Sequence, residues 1–321
     1  MSRTNKLFMA VAKGKVSSEG GDIKRYIGVA PVFVLAVNPT KSKLEEIYGT
    51  TIENDPVYVG ETEVGEDKKK VAQVRLDFIV KVDGEKCKDV DGTPINAITR
   101  VSFFIRNQYR TNTAGDKVQV IDKYGRTAWV TKEQFSKKEI PMYSNGPANL
   151  DKDYRACFWG EEQLTNFIRA YLNIPNVMKY VNKQWVLIDN PEEAEVRLDD
   201  IANYFKGNFA ELNEILTYQP QNKVKLLFGV RTTDDNRQFQ AVYTEMFLKN
   251  GVTDYSRLDK DVKERKNAGA YPTTEFEVCD LKVYHVGATP VASLPDMTDM
   301  PDFTGTAPNP WENTKEIYNN T

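Results

Sequence analysis

Histidine and clustered cysteine are what this sequence has least of. His285 is the only histidine, which excludes an HExxH zinc helix and any metal face built from two histidines. Cys87, Cys157 and Cys279 lie far apart, form no CxxC pair and are odd in number. Such cysteines do not predict a disulfide framework, and reduced thiols are the simplest interpretation. We therefore expect no metal and no cofactor, and a structural role for His285.

Long apolar runs and phosphate-binding loops are also missing. No stretch approaches the ~20 apolar residues of a membrane helix, and the apolar run Leu7–Ala12 ends at Lys13, too short for a signal-peptide core. The sequence has no GxxxxGK[ST] loop and no GxGxxG that follows a strand. No pair of carboxylates has a spacing that marks catalysis. We expect a soluble, intracellular protein with no catalytic residues and no membrane partner.

Positive charge is concentrated in one stretch of a slightly acidic chain. The 321 residues carry a formal net charge of −3, but Arg100–Lys132 holds seven basic and two acidic side chains, a local net charge of +5. Aromatic residues are interleaved with these charges. Cations that follow phosphates, with flat rings between them on which bases stack, are typical of a groove for single-stranded nucleic acid.

A strand over residues 97–106 sharpens this interpretation, because alternate side chains of a strand face opposite sides. The expected core face consists of Ala97, Thr99, Val101, Phe103 and Ile105. The expected outer face consists of Arg100, Ser102, Phe104 and Arg106. A short strand at Tyr154–Trp159 is expected to lie beside it. An ordinary antiparallel sheet with solvated charges and one exposed ring is the alternative interpretation.

The candidate contacts to nucleic acid are of two kinds. The rings expected to stack on bases are Phe104, Tyr109, Tyr124, Trp129 and Tyr154. The cations expected to neutralise phosphates are Arg100, Arg106, Arg110, Lys123, Arg126 and Arg155.

The order of elements predicts an α+β protein, because strands are followed by helices and then by strands without regular βαβ alternation. An N-terminal arm is expected over 1–28, and a helix over 41–48 that ends at Gly49. The strand expected over 71–83 has one core face and one solvent face, with Gln73, Arg75, Asp77 and Lys81 mainly on the solvent face. Further helices are expected over 160–175 and from Pro191, and further strands over 223–230, 237–249 and 276–286. Residues 1–286 are expected to form a single nucleic-acid-binding domain, with a β core at 29–159 and 223–286 and a helical insertion at 160–222. The preferred arrangement is a Greek-key β-barrel of the OB kind, although the strand count also fits a sandwich.

The C-terminal residues 287–321 have a different composition. Five prolines interrupt a segment that carries five acidic residues and one basic residue, a net charge of −4. Such a segment has little to bury and predicts a disordered, flexible acidic tail. Its isolated apolar residues are typical either of a short partner-binding motif or of a passive tail; they are Phe303, Trp311, Ile317 and Tyr318.

Three strings carry a resemblance to a known family. They are NKLFMAVAKGKVSSEGGDIKRYIGVAPVFVLAVNPTK, IDKYGRTAWVTKEQF and IPMYSNGPANLDKDYRACFWGEEQLTNFIRAYLNIPN. Over roughly Asn5 to Asn176 the chain resembles the single-stranded DNA-binding proteins of crAss-like bacteriophages. The resemblance implies a non-catalytic single-stranded DNA-binding protein of phage replication or recombination, in the cytoplasm of the infected bacterium. The acidic tail also resembles the partner-recruiting tails of bacterial single-strand binders, which implies phage replication proteins as partners; here, however, the acidic and aromatic residues Asp299–Phe303 are not at the extreme C-terminus.

Two other classes of function remain open. In a virion structural or assembly protein, the same β-rich body and extended termini would make protein contacts. A nucleic-acid-processing enzyme is the third hypothesis, since a metal site made of carboxylates alone is hard to see in a sequence.

Overall fold

A computed structural model describes residues 24–141, 149–196, 201–217 and 222–284. The strands in this part of the chain are β1 (Tyr26–Val37), β2 (Val59–Val64), β3 (Lys69–Val82), β4 (Ile98–Tyr109), β5 (Lys117–Ile121), β6 (Thr127–Thr131), β7 (Arg155–Ala156), β8 (Phe158–Trp159), β9 (Met178–Val181), β10 (Gln184–Leu187), β11 (Val224–Thr232), β12 (Gln238–Lys249), β13 (Thr274–Phe276) and β14 (Lys282–Val283). The helices are α1 (Lys41–Tyr48), α2 (Lys132–Ser136), α3 (Glu161–Tyr171), α4 (Ile201–Tyr204), α5 (Ala210–Thr217) and α6 (Ser256–Asn267), with a 3-10 turn at Pro191–Ala194.

The main sheet is antiparallel and curls into a half-barrel. Its strand order is β12-β11-β1-β3-β4-β8, with β2 beside β3, β13 beside β11 and β14 beside β1. The two ends of the sheet approach each other, because β12 contacts β4 and α3 contacts both strands. The architecture is therefore α+β with few helices, as the order of elements predicted.

The core lies between the inner face of the half-barrel and α3. Phe78 of β3, Phe103 of β4 and Phe167 of α3 are fully buried, with ring centroids 5.1–5.5 Å apart. Each such side chain stabilises the fold by about 1.5–3 kcal/mol through removal of apolar surface from water. A register shift in β1 follows Val34, whose N–H donates to the hydroxyl of Tyr171 at 3.0 Å. This hydrogen bond joins α3 to β1 at the position of the register shift.

Most of the outer face of β3 is buried, although the sequence predicted that it faces solvent. Gln73, Arg75 and Asp77 were expected to face solvent, yet all three are buried. Neighbouring side chains cover them: the Arg75 guanidinium lies 5.8 Å from the Tyr58 ring centroid, and Asp77 accepts a hydrogen bond from Ser102 at 2.7 Å. Strict alternation predicted the strand correctly, but it could not show that polar groups also fill the second face.

One of the other predicted helices and strands has its predicted end, and three differ from the prediction. Helix α1 ends at Gly49, whose backbone has φ of 65°, as predicted. The expected strand Tyr154–Trp159 is two strands, since β7 pairs with β5 in a separate three-stranded sheet and β8 pairs with β4. The expected helix at Pro191 is a 3-10 turn, and the expected long strand at 276–286 is represented only by short β13 and β14.

Some expectations fall outside the described residues. These are the N-terminal arm through residue 23, His285 and the acidic segment 287–321. The helical insertion at 160–222 contains α3, α4 and α5 in its described parts, but also the hairpin formed by β9 and β10. The single-domain division stays a prediction. None of the helices seen in the structure has the length and apolar character needed to cross a lipid bilayer.

Candidate nucleic-acid interface

Strand β4 presents a strip of partly exposed side chains on its outer face. Val101, Phe103 and Ile105 are buried on the inner face as predicted, whereas Ala97 and Thr99 of the expected core face are only partly buried. The outer side chains are all at least partly exposed; they are Ile98, Arg100, Ser102, Phe104 and Arg106. Phe104 is 39% exposed. A phenyl ring in this position is available to a ligand without any rearrangement of the core.

Arg106 and Trp159 form the most compact pairing of charge and ring on this strip. The two residues are opposite each other in the β4–β8 ladder, and the guanidinium carbon lies 3.8 Å from the ring centroid of Trp159. The indole remains 39% exposed. Arg106 Nε donates to Gln73 Oε1 at 3.4 Å, and within the described ranges Arg106 forms no ion pair. Burial lowers the pKa of Arg106 from its usual value, but a guanidinium remains charged at neutral pH.

Gly160 allows Trp159 to approach β4 this closely. Its backbone has φ of 90°, and a Cβ at this position would collide with the carbonyl oxygen of Phe104. Only glycine adopts such a conformation without strain and leaves room for the neighbouring strand. The glycine also begins α3, so the same residue places Trp159 at the strand edge and starts the helix.

A second group of charges surrounds Asp77. Its carboxylate pairs with Arg75 Nη2 at 3.1 Å and with Arg100 Nη1 at 3.5 Å. Burial is the main reason that the pKa of Arg75 is lowered. Arg100 is one-third exposed and keeps only a long contact to a carboxylate that Arg75 shares. Two guanidinium groups with one carboxylate leave this part of the outer face positive.

Arg110 and Trp129 occupy a neighbouring polar cluster around Glu162. Arg110 Nη1 donates to Glu162 Oε2 at 2.6 Å and to Gln119 Oε1 at 3.1 Å. Its guanidinium carbon lies 5.7 Å from the Trp129 ring centroid. Trp129 is 38% exposed, so its ring lies on the surface and not in the core.

Most of the expected phosphate-binding cations already have carboxylate partners. Lys123 pairs with Glu195 at 2.8 Å, and Arg155 pairs with the buried Glu161. With Arg100, Arg110 and Arg126, five of the six candidate cations form ion pairs in the described residues. These ion pairs could not be predicted from the basic stretch, because most of the partner carboxylates lie outside it. Arg106 is the exception.

Three candidate residues are buried and do not line a groove, which corrects the sequence analysis. Tyr154 is 1% exposed and packs in a small core with Val120 and Leu150. Tyr124 packs with Val177 and Ala194 below the β9–β10 hairpin. Arg126 is buried against Asp122, with Nη2 2.7 Å from Oδ2. These rings and this cation hold the small sheet of β5, β6 and β7 to its surroundings.

Tyr109 is exposed, but it lies away from Trp159. Its ring centroid is 5.0 Å from that of Phe158. Phe158 and Trp159 are successive strand residues and therefore face opposite sides. In the β4–β8 ladder Arg106 pairs with Trp159 and Tyr109 pairs with Phe158, with a register shift between the two pairs. Phe104, Arg106 and Trp159 form one surface, and Tyr109 does not belong to it.

The β9–β10 hairpin is an exposed aromatic surface that the sequence analysis did not identify. The rings of Tyr180 and Trp185 lie 5.3 Å apart, and both are exposed. The turn residues Asn182 and Lys183 both have positive φ, as a tight hairpin turn requires. Aromatic and β-branched residues on either side of a short polar turn in KYVNKQWVL are the signal that predicts it.

Burial raises the pKa of two cysteine thiols, and the described residues include no cluster of possible metal ligands. Burial raises the pKa of Cys87 to about 11 and that of Cys157 still further, so both thiols stay protonated at neutral pH. In the described ranges, no three His, Cys, Asp or Glu side chains are grouped as metal ligands would be. Comparison with known proteins gives no further assignment: no family model, no curated protein and no solved structure matches the chain.

Proposed function

We propose that the chain is a non-catalytic single-stranded DNA-binding protein whose interface is the outer face of β4 together with β8. The observation that carries this proposal is the Arg106–Trp159 pair beside the exposed Phe104. Two exposed rings on one face offer stacking surfaces, and the guanidinium over the Trp159 ring has no carboxylate partner among the described residues. This combination suits a strand whose bases are unpaired and whose phosphates need a cation.

The arrangement of strands supports an OB-like barrel as part of the proposal. The first four long strands along the chain are β1, β3, β4 and β11. In the sheet they lie side by side in the order β11, β1, β3, β4, so the fourth strand is next to the first. That order is the Greek key. In OB barrels, strands two and three provide the face that binds oligonucleotides, and these correspond here to β3 and β4. The candidate interface therefore lies where such a barrel would place it.

The expected binding is sequence-tolerant and modest in strength. Stacking on an aromatic ring contributes about 1–3 kcal/mol per base and does not depend strongly on base identity. Of the six candidate cations, only Arg106 has no carboxylate partner among the described residues, so the basic stretch attracts phosphate less than its net charge suggested. The resemblance to crAss-like phage proteins points to the same class and to a role in phage DNA replication or recombination in the host cytoplasm.

Tryptophan fluorescence titrated with oligo-dT tests the proposal. The chain has four tryptophans, so Trp159→Phe and Trp185→Phe identify which of them responds. We expect oligo-dT to quench the wild type and Trp185→Phe, and to quench Trp159→Phe much less. Duplex DNA should compete weakly, and oligo-U serves as the comparison for RNA. Absence of saturable oligo-dT binding at low salt would overturn the proposal.

The exposed hairpin favours a second candidate, a structural or assembly protein of the virion. Val181, Val186 and Leu187 are exposed on β9 and β10, on a hairpin whose strands pair only with each other among the described strands. Exposed apolar groups of this kind mark protein contacts. Mass spectrometry of purified particles tests this candidate, because a structural protein must be present in them in many copies.

A further inference from the structure

A lysine-rich cleft lies at the end of β4 opposite to Trp159. Two adjoining cavities, of about 660 and 730 Å³, share Asp83, Glu85, Lys88 and Lys223 in their walls. We call them together the lysine cleft. Its lysines come from three separate parts of the chain; they are Lys81, Lys86, Lys88, Lys223 and Lys225.

The lysine cleft has an excess of positive charge. Asp83, Glu85 and Asp280 are its carboxylates, which leaves a net charge of +2 against the five lysines. Lys223 is held by Asp83 at 2.6 Å. Lys225 instead donates to two uncharged acceptors, the carbonyl of Val252 at 2.7 Å and the hydroxyl of Tyr255 at 3.2 Å.

Three lysines of the cleft are open to a ligand. Lys86 and Lys88 are exposed and Lys81 is partly exposed. None of the three forms an ion pair with any residue that the structure describes. Ammonium groups in this state attract an anion without first losing a carboxylate partner, unlike Arg110 or Arg155.

The lysine cleft and the Arg106–Trp159 pair lie on the same face of the sheet. Lys81 is opposite Ile98 in the β3–β4 ladder, and Gln73 is opposite Arg106. Directly opposite residues share a face, and Lys81 and Gln73 are separated by an even number of residues. From Ile98 to Arg106 the chain of β4 advances eight steps, which span roughly 26 Å at about 3.3 Å per residue. The side chains between them on the outer face are partly exposed, so the strip is continuous.

We propose that the lysine cleft binds phosphates of the same single strand whose bases stack on Phe104 and Trp159, with the strand lying along the outer face of β4. This inference rests on the proposed function. At about 3.4 Å per nucleotide for a stacked strand, the distance corresponds to about eight nucleotides. A tetranucleotide therefore reaches only one end of the path, whereas a dodecanucleotide reaches both.

The test compares strand lengths in a charge variant and a matched control. The variant Lys81→Gln/Lys86→Gln/Lys88→Gln removes three cations from the lysine cleft. The control Lys260→Gln/Lys263→Gln/Lys266→Gln removes three exposed lysines from α6. Fluorescence anisotropy with labelled dT4 and dT12 gives the affinities, and circular dichroism confirms that both variants are folded.

We expect the wild type and the control to bind dT12 much more tightly than dT4. The cleft variant should lose on the order of tenfold in affinity for dT12 at low salt and keep its affinity for dT4. The inference is overturned if the cleft variant weakens dT12 no more than the control does, or weakens dT4 equally. Wild-type protein that binds dT12 no better than dT4 also refutes it but leaves the proposed function intact. Failure to bind either length refutes both.

Discussion

The guanidinium carbon of Arg106 lies over the indole of Trp159, 3.8 Å from its ring centroid, and the indole remains 39% exposed. In Trp159→Ala the stacking surface is lost and the guanidinium loses the ring on which it rests. We expect affinity for oligo-dT to fall by about 1–3 kcal/mol, which is about 5- to 150-fold. The free energy of unfolding should change little, because the indole is already 39% exposed. Anisotropy and urea denaturation measure the two effects.

Trp185→Ala is the matched control for this substitution. It removes an exposed indole from the β9–β10 hairpin, outside the proposed interface. Its affinity for oligo-dT should equal that of the wild type. Equal losses in the two variants would mean that exposed tryptophan as such, rather than the Arg106–Trp159 pair, is what binds.

Tyr154 should behave in the opposite way. Its ring is buried, with the ring centroid of Phe135 6.2 Å away. Tyr154→Ala should lower the free energy of unfolding by about 3–5 kcal/mol, as for other large aromatic side chains in cores. Affinity measured on the fraction that remains folded should be unchanged. If Tyr154→Ala had normal stability but bound oligo-dT weakly, Tyr154 would belong to the interface and not to the core.

Sequence alone predicted the exposure of Phe104, but it did not predict the state of the cations. Phe104 is on the surface as expected, because alternation along its strand fixes which side chains face outward. The state of the cations depends on carboxylates that the fold brings in from elsewhere, such as Glu162 for Arg110 and Glu195 for Lys123. Such long-range pairings leave no local pattern in the sequence. Tyr154 and Trp159, five residues apart, illustrate the same limit, since one is core and the other is surface.

At the scale of elements, Glu162 ties the first turn of α3 to β5 and β6. Its carboxylate accepts hydrogen bonds from Arg110 at 2.6 Å, Gln119 at 3.0 Å and Thr127 at 2.8 Å. Glu162→Gln removes the charge and disturbs these bonds. We expect the free energy of unfolding to fall by about 1–3 kcal/mol. Urea denaturation measures this change.

The same substitution should strengthen binding of oligo-dT at low salt. Arg110 loses its carboxylate partner and becomes available to a phosphate, close to the ring of Trp129. Arg110→Gln in the Glu162→Gln background should cancel the gain. If Glu162→Gln leaves affinity unchanged, Arg110 does not contact the strand, and the interface ends at Trp159.

Elements with strong periodicity were the ones that the sequence predicted well. Strands β3, β4, β11 and β12 and helix α3 appear close to their expected positions. The β9–β10 hairpin was missed because it lies within a segment dominated by helical spacing. Residues 276–286 were expected to form one strand, but β13 pairs with β11 and β14 with β1. A change of pairing partner between two short strands cannot be read from alternation.

At the scale of the whole molecule, acidic and basic charge occupy different parts of the chain. Residues 287–321, outside the described ranges, carry a net charge of −4. Acidic groups tethered to the domain compete with phosphates for its cations within a Debye length of roughly 8–10 Å. Deletion of residues 290–321 should therefore raise affinity for single strands, most at low salt, with little change in the free energy of unfolding. Binding that is unaltered at every salt concentration would show that the segment does not compete, and unfolding would show that it belongs to the core.

The salt dependence of oligo-dT binding tests the central claim most directly. Each phosphate neutralised on a single strand contributes about −0.7 to the slope of log affinity against log salt. With Arg106 and the three open lysines of the lysine cleft engaged, the slope for dT12 should be about −2 to −3. A slope near zero, or tighter binding of duplex DNA than of dT12, would contradict a single-strand path along the outer face of β4.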